Sequence, residues 1–163
     1  MLVLLGLLPS IAQAQTNRAF QTTLIGYEEV PAISTTGTGT FEMLIDFGDV
    51  GFAYTLNYSG LTGNVQQAHI HIAQKGVNGG IMIFFCTNLG NGPAGTQPCP
   101  ASGTVSGFVT AADVIGGAAA QGIAPGEFAE VLKAIRAGAA YVNVHSNLFP
   151  GGEIRGQVVP ASK

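Results

Sequence analysis

Residues 39–58 read GTFEMLIDFGDVGFAYTLNY, and this stretch decides the fold. Apolar and polar side chains alternate on both sides of residues 47–50, which is the period of a β-strand. In the second run Tyr54, Leu56 and Tyr58 point to one face, and the residues between them point to the other. The glycine and aspartate between the runs predict a hairpin loop. Two strands joined in this way pair antiparallel.

Similar short runs recur along the rest of the chain, separated by clusters of Gly, Asn, Asp or Pro that predict turns. Strands at this spacing favour a sandwich or a barrel. We predict a mainly β fold, a single antiparallel β-sandwich of about eight strands with Greek-key connections. The predicted strands are 19–25, 39–46, 51–58, 65–73, 81–86, 103–109, 140–145 and 153–159.

One short amphipathic helix is predicted within residues 125–138. Phe128, Val131, Leu132 and Ile135 recur at helical spacing. A proline opens this stretch and a glycine closes it, as at many helix ends. We expect the helix to bury its apolar stripe against an open end or edge of the sandwich.

The N-terminus has the pattern of a signal peptide, residues 1–14. An apolar run at 2–8 is followed by Ala12-Gln13-Ala14, which predicts cleavage before Gln15 and a domain of residues 15–163. The run is too short to span a membrane. Because no Lys or Arg precedes it, we expect the sequence to be truncated at its N-terminus.

Composition narrows the classes of partner. The chain has 163 residues, which is typical of one domain, and only 9% of them are charged. A net charge of −3 gives no reason to expect nucleic acid as a partner. No segment of the mature chain reads as an integral membrane span. We therefore expect a secreted protein, extracellular or periplasmic, with an extracellular protein or matrix component as partner.

Two cysteines, Cys86 and Cys99, are present. In an exported protein an even number of cysteines predicts a disulfide. The alternative, a pair of soft metal ligands, lacks further cysteines to complete a thiolate site.

The chain has three histidines, His69, His71 and His145. Alternation along a strand places His69 and His71 on one face, with Ile70 on the other. His145 shares a strand face with Asn143. If the two strands are neighbours, the three rings converge, and such a set suits copper or zinc. The alternative is that the rings form hydrogen bonds to loops and hold one end of the sandwich together.

Residues 150–152 form a Pro-Gly-Gly turn, and Glu153 and Arg155 then share one face of the following strand. We expect Glu153, Arg155 and Asn143 to surround the histidines and orient them as outer-shell partners. The alternative for Glu153 is a structural clamp between loops. The pair Glu28 and Glu29 is interpreted as a solvated turn.

Known catalytic signatures are absent from the sequence. It contains no nucleophile elbow, no phosphate-binding P-loop and no dinucleotide fingerprint. No catalytic residue is therefore predicted, and an enzyme is the less favoured class.

Four motifs together resemble the chordin-type (CHRD) domain family, in the same order and over about residues 20–159. They are LIGYEEVP at 24–31, AHIH at 68–71 followed by GVNG at 76–79, YVNVHS at 141–146, and PGGEIRGQ at 150–157. Ala32 stands where the family has a second proline. The resemblance implies an extracellular module, found singly in bacterial proteins and as repeats in chordin, with no established enzymatic activity.

The His-x-His pair also resembles, more weakly, the copper ligands of copper/zinc superoxide dismutase. Three histidines cannot supply both metal sites of that enzyme, so a mononuclear site is the most this chain could form. Arg155 would be the anion-attracting residue by analogy. Three hypotheses follow: a secreted binding module, which leads; a copper-dependent, dismutase-like redox enzyme; and a structural envelope component.

Overall fold

A computed structural model describes residues 18–162, so the predicted signal peptide lies outside the described residues. Nine β-strands, one α-helix and three short 3-10 helices are seen in this range. The strands are β1 (Ala19–Ile25), β2 (Thr38–Ile45), β3 (Gly51–Ser59), β4 (Val65–Ile72), β5 (Ile81–Thr87), β6 (Gly103–Thr110), β7 (Ala140–Ser146), β8 (Ile154–Gln157) and β9 (Val159–Pro160). The helix α1 spans Phe128–Arg136, and the 3-10 helices span Gly26–Glu28, Ala111–Asp113 and Gly116–Gln121.

The strands pair antiparallel in one continuous sheet with the order β5-β4-β7-β8-β1-β2-β3-β6, and β9 pairs with β1. The mainly β, antiparallel class is confirmed, but the architecture is closer to a nearly closed barrel than to two separate sheets. The reason is the pairing of Ile25 in β1 with Arg155 in β8, which joins the two halves through the backbone.

Gln97 links the two edge strands of this sheet, β5 and β6. Its carbonyl accepts from the amide of Thr87 at the end of β5 (3.0 Å), and its side chain donates to the carbonyl of Ser106 in β6 (3.1 Å). The edges therefore lie close together, although they do not pair directly.

Aromatic side chains fill the interior between the two halves of the sheet. Tyr54 and Phe41 pack on Phe85 of β5, with ring centroids 4.4 and 5.2 Å apart. Such pairs contribute about 0.5–1.5 kcal/mol beyond the burial of their area. Strand β3 alternates as predicted, with Tyr54, Leu56 and Tyr58 buried.

Helix α1 lies against the end of the sheet that carries the β2–β3 hairpin. Phe128 stacks on Phe52 with centroids 5.9 Å apart, and all four residues of the predicted apolar stripe are buried. Arg136, in the last turn, donates to both carboxylate oxygens of Asp49 at the hairpin tip. The predicted role of the helix, covering one end of the β structure, matches this position.

Cys86 and Cys99 form the predicted disulfide, with Cα atoms 5.0 Å apart. The bridge ties the segment after β5 back to that strand. In the chain-entropy model, closing a loop of about this length contributes roughly 3 kcal/mol. Asn88 adds to the closure, because its side chain bonds both the amide and the carbonyl of Cys99 at 3.0 Å.

Both faces of β7 are buried along its whole length. Val142 and Val144 face the aromatic core. The opposite face is polar, and three loops cover it: residues 26–37, 73–80 and 147–153. The molecule therefore has a second interior, a polar layer between the sheet and these loops. Within residues 18–162 no helix is long and apolar enough to cross a membrane.

Candidate metal centre

The three histidines meet in this polar layer. His69 and His71 lie on one face of β4, and Ile70 between them faces the core. Strands β4 and β7 are direct neighbours, with Gln67 opposite His145. Each ring offers one nitrogen, and these nitrogens all lie within 4.8 Å of one another. His69 is fully buried and the other two are 6% exposed.

Two backbone carbonyls set the orientation of two of the rings. His71 Nδ1 lies 2.9 Å from the carbonyl of Gly79, and His145 Nδ1 lies 2.9 Å from that of Pro150. A carbonyl oxygen only accepts, so each Nδ1 carries the proton and donates. Each Nε2 then keeps a lone pair for a metal ion, the arrangement typical of histidine ligands.

The spacing of two rings already fits a common metal ion. His69 Nδ1 lies 3.2 Å from His145 Nε2. Nitrogens bound tetrahedrally at about 2.0–2.1 Å from zinc are about 3.3 Å apart. Bringing the third ring to the same spacing requires a shift on the order of 1 Å.

His69 Nε2 and His71 Nε2 are buried and have no hydrogen-bond partner among the described residues. A buried polar atom left without a partner costs about 1–3 kcal/mol. For His71, a bound metal ion would remove this cost, because Nε2 is the nitrogen that the Gly79 carbonyl leaves free. The residues present thus fit a metal with imidazole ligands.

Burial keeps the rings neutral. Burial, with a smaller contribution from the neighbouring histidines, lowers the pKa of His69 to about 2 and that of His71 to about 4. Burial also lowers the pKa of His145. Neutral imidazole is the form that binds metal, so no proton has to leave these rings near neutral pH.

Arg155 lies one layer behind the histidines. Its guanidinium stacks on Tyr141 at 3.4 Å, and Tyr141 in turn stacks on His71 with centroids 4.7 Å apart. The guanidinium also donates to Asn78 Oδ1 at 2.9 Å and to the carbonyl of Val77 at 2.7 Å. Arg155 therefore supports the loop that holds His71, and Tyr141 stacks between the guanidinium and the His71 ring.

Glu153 connects loops through hydrogen bonds. Its carboxylate accepts from the Thr35 hydroxyl at 2.6 Å and from the amides of Thr62 and Gly63 at 2.5 and 3.3 Å. Among the described residues it has no hydrogen bond to a histidine ring. These contacts fit the alternative in which Glu153 holds loops together. That Glu153 orients a histidine stays a prediction.

Asn143 is the third residue expected around the histidines, and it lies among them. It is 2% exposed, and its Oδ1 is 3.0 Å from His145 Nε2. Its backbone is the cross-strand partner of His69.

Glu29 is the site residue that sequence reasoning missed. The interpretation of Glu28 and Glu29 as a solvated turn is wrong for Glu29, which is 6% exposed. The 3-10 turn before it leaves Glu28 outside, paired with Lys75 at 2.9 Å, and turns Glu29 inward. Its carboxylate packs against Gly152 so closely that a Cβ at Gly152 would collide with it.

Burial raises the pKa of Glu29 to about 7, while Arg155 and a hydrogen bond with Asn143 act in the opposite direction. A buried carboxylate therefore lies next to Asn143 and Arg155, at the edge of the site. The available sequence signal was its place in the LIGYEEVP motif, since alternation alone does not distinguish two consecutive glutamates in a turn.

The family model of the CHRD domain matches residues 20–158, a range that includes every residue of the site described above. The search of the curated proteins finds no match to this chain.

Proposed function

The chain belongs to the CHRD domain family, and we propose that it is a secreted binding module whose His69, His71 and His145 hold one zinc or copper ion. The observation that carries the proposal is the convergence of three buried, neutral imidazoles whose ligand nitrogens lie within 4.8 Å of one another. The binding partner is an extracellular protein or matrix component.

Two features support export. Residues 1–14 have the pattern of a signal peptide, which leaves residues 15–163 as the mature domain. The disulfide between Cys86 and Cys99 belongs in an oxidising compartment. Both agree with the extracellular setting that the family resemblance implies.

Because the histidines lie where two strands meet two loops, the proposed ion would have a structural role. His71 is bonded to the loop at Gly79 and His145 to the loop at Pro150. An ion on their Nε2 atoms would tie β4, β7 and these two loops together. The ion supplies binding free energy that fixes the loops, and the loops form the outer surface open to a partner.

The other two hypotheses have less support. A dismutase-like enzyme needs an accessible metal and a nearby arginine, but the unpaired ring nitrogens are shielded from water and Arg155 lies behind Tyr141. An envelope component that assembles through its sheet edges needs free edges. Here β5 and β6 lie close together and Gln97 bridges them.

Metal should stabilise the folded domain. With zinc or copper at about 100 times its Kd, we expect the free energy of unfolding to rise by about 2.7 kcal/mol. For a domain of this size that is an increase in Tm of about 5–10 °C. The measurement is thermal unfolding of the disulfide-intact protein, first treated with chelator and then given each ion.

Calcium and magnesium provide the control, because they prefer oxygen ligands and should leave the Tm unchanged. The same Tm with and without zinc and copper would contradict a metal-binding role.

A further inference from the structure

We propose that Asn143 supplies the fourth ligand of the metal, through its side-chain amide oxygen, and that Glu29 holds the amide in the orientation this requires. This inference rests on the proposed three-histidine site. It changes the expected site from three nitrogens with an open position to three nitrogens and one oxygen.

Strand β7 places the Asn143 side chain among the histidines. Asn143 and His145 lie on the same face of β7, and the Cα partner of Asn143 on β4 is His69. Its Oδ1 is 3.0 Å from His145 Nε2. This distance, like the 3.2 Å between His145 Nε2 and His69 Nδ1, matches the spacing between two ligands of one tetrahedral ion.

The contact between Asn143 and His145 joins two acceptors. His145 Nδ1 carries the ring proton and donates it in a hydrogen bond to the carbonyl of Pro150, so Nε2 of the neutral ring is an acceptor. The amide oxygen of Asn143 is also an acceptor. Two buried acceptors 3.0 Å apart repel, and a cation bound to both removes that repulsion. A metal ion bound to His145 Nε2 and Asn143 Oδ1 converts this repulsion into two bonds.

Glu29 is the group that acts on the amide nitrogen. It is buried near Asn143, and a hydrogen bond from the Asn143 side chain is one of the causes that hold the pKa of Glu29 below the value that burial alone would give. A cation bound nearby favours the ionised form of Glu29, and an ionised carboxylate only accepts. It therefore accepts from an N–H of the amide and leaves the amide oxygen turned toward the histidines. Ligands of metal ions commonly have such an outer carboxylate.

Glu29 also supplies charge. Three neutral imidazoles and an amide leave the two positive charges of the ion uncompensated in a buried site. A buried charge needs a partner of opposite sign, and Glu29 is the buried carboxylate in contact with Asn143. The Asn143 side chain is near both His145 and Glu29, so the carboxylate would act on the ion through the amide.

The test uses cobalt as the probe, since its visible absorption reports the number and type of ligands. The mature protein is titrated with Co²⁺, and the affinity and spectrum are recorded for four single variants. In Asn143→Ala the oxygen is lost, so we expect affinity to fall at least 10-fold and the spectrum to change. In Asn143→Asp an oxygen ligand is kept, so the spectrum should stay close to that of the wild type.

The two glutamates form a matched pair. Glu29→Gln should weaken Co²⁺ binding by about 10-fold or more, in the range known for outer-shell partners. Glu28→Gln, which removes the half-buried neighbouring carboxylate paired with Lys75, should leave Co²⁺ binding unchanged.

The outcomes separate the two proposals. Wild-type protein that binds no Co²⁺, zinc or copper overturns the three-histidine site itself. Wild-type protein that binds Co²⁺, with folded Asn143→Ala giving the same affinity and spectrum, overturns the fourth ligand alone. An equal loss in Glu28→Gln and Glu29→Gln overturns the specific role of Glu29.

Discussion

On acidification from about pH 6.5 to 4 the metal-free protein is expected to lose roughly 1–3 kcal/mol of stability per pH unit. The cause is the cluster of buried histidines. In the unfolded chain each ring binds a proton below its ordinary pKa of 6.5. In the folded protein burial lowers the pKa of His69 to about 2 and that of His71 to about 4. The unfolded state therefore binds more protons in this window, and stability falls as the pH falls.

Two further groups set the size of this slope. The pKa of His145 is also lowered by burial, and this ring adds to the loss. Glu29 opposes it, because burial raises its pKa from the ordinary 4.5 to about 7 and the folded state then binds the extra proton. In this window the unfolded state binds about two more protons than the folded state at His69 and His71, and about one fewer at Glu29. The net difference is about one proton per molecule, and His145 raises it to about two.

Urea unfolding at several pH values between 7 and 4.5, with chelator present, measures the slope. His71→Gln should reduce it by about 1 kcal/mol per pH unit, and Glu29→Gln should increase it by about as much. A wild-type stability that stays constant across this range would show that the rings are not held neutral by burial.

Replacing Arg155 with methionine is expected to destabilise the protein by about 3–5 kcal/mol, the usual cost of removing one partner from a buried charged cluster. Arg155 is 1% exposed. Its loss leaves Asn78 Oδ1 and the Val77 carbonyl without their donors and removes the positive charge beside Glu29.

Arg155→Lys keeps the charge but loses the planar fork and the stacking on Tyr141, so it should recover part of the stability only. Arg136→Met is the matched control. Arg136 forms a two-pronged pair with Asp49 at the surface, where the side chains are 34% and 49% exposed, and its loss should cost about 1 kcal/mol or less. Equal destabilisation in Arg136→Met and Arg155→Met, measured by urea unfolding, would contradict the buried role of Arg155.

Much of the fold follows from local patterns. Alternation within residues 39–58 correctly gives the β2–β3 hairpin, and the apolar spacing of Phe128, Val131, Leu132 and Ile135 correctly gives helix α1. The number of cysteines gives the disulfide. The hairpin and the helix depend on interactions between residues close in sequence, and two cysteines can pair in only one way. A single sequence is therefore enough to predict them.

The joining of the sheet into one nearly closed structure was not predictable in this way. It depends on the pairing of Ile25 with Arg155, residues far apart in the chain. Alternation shows which residues of a strand share a face but not which strands are neighbours. The same limit applied to the histidines, whose convergence was conditional on β4 and β7 being adjacent.

The residues around the histidines show most clearly what strand periodicity can and cannot predict. Strand periodicity places Asn143 on the face of His145, and the structure finds it there. The burial of Glu29 depends on a turn and on a distant glycine, Gly152, against which its carboxylate packs. No periodic pattern encodes such a contact between two loops.

The most direct test of the three-histidine site is the metal content of the disulfide-intact protein, measured by elemental analysis beside His69→Ala, His71→Ala and His145→Ala. We expect close to one zinc or copper ion per chain in the wild type and loss of that ion in each variant. Wild-type protein that retains neither metal after exposure to both ions would contradict it, as would folded variants that all retain the ion.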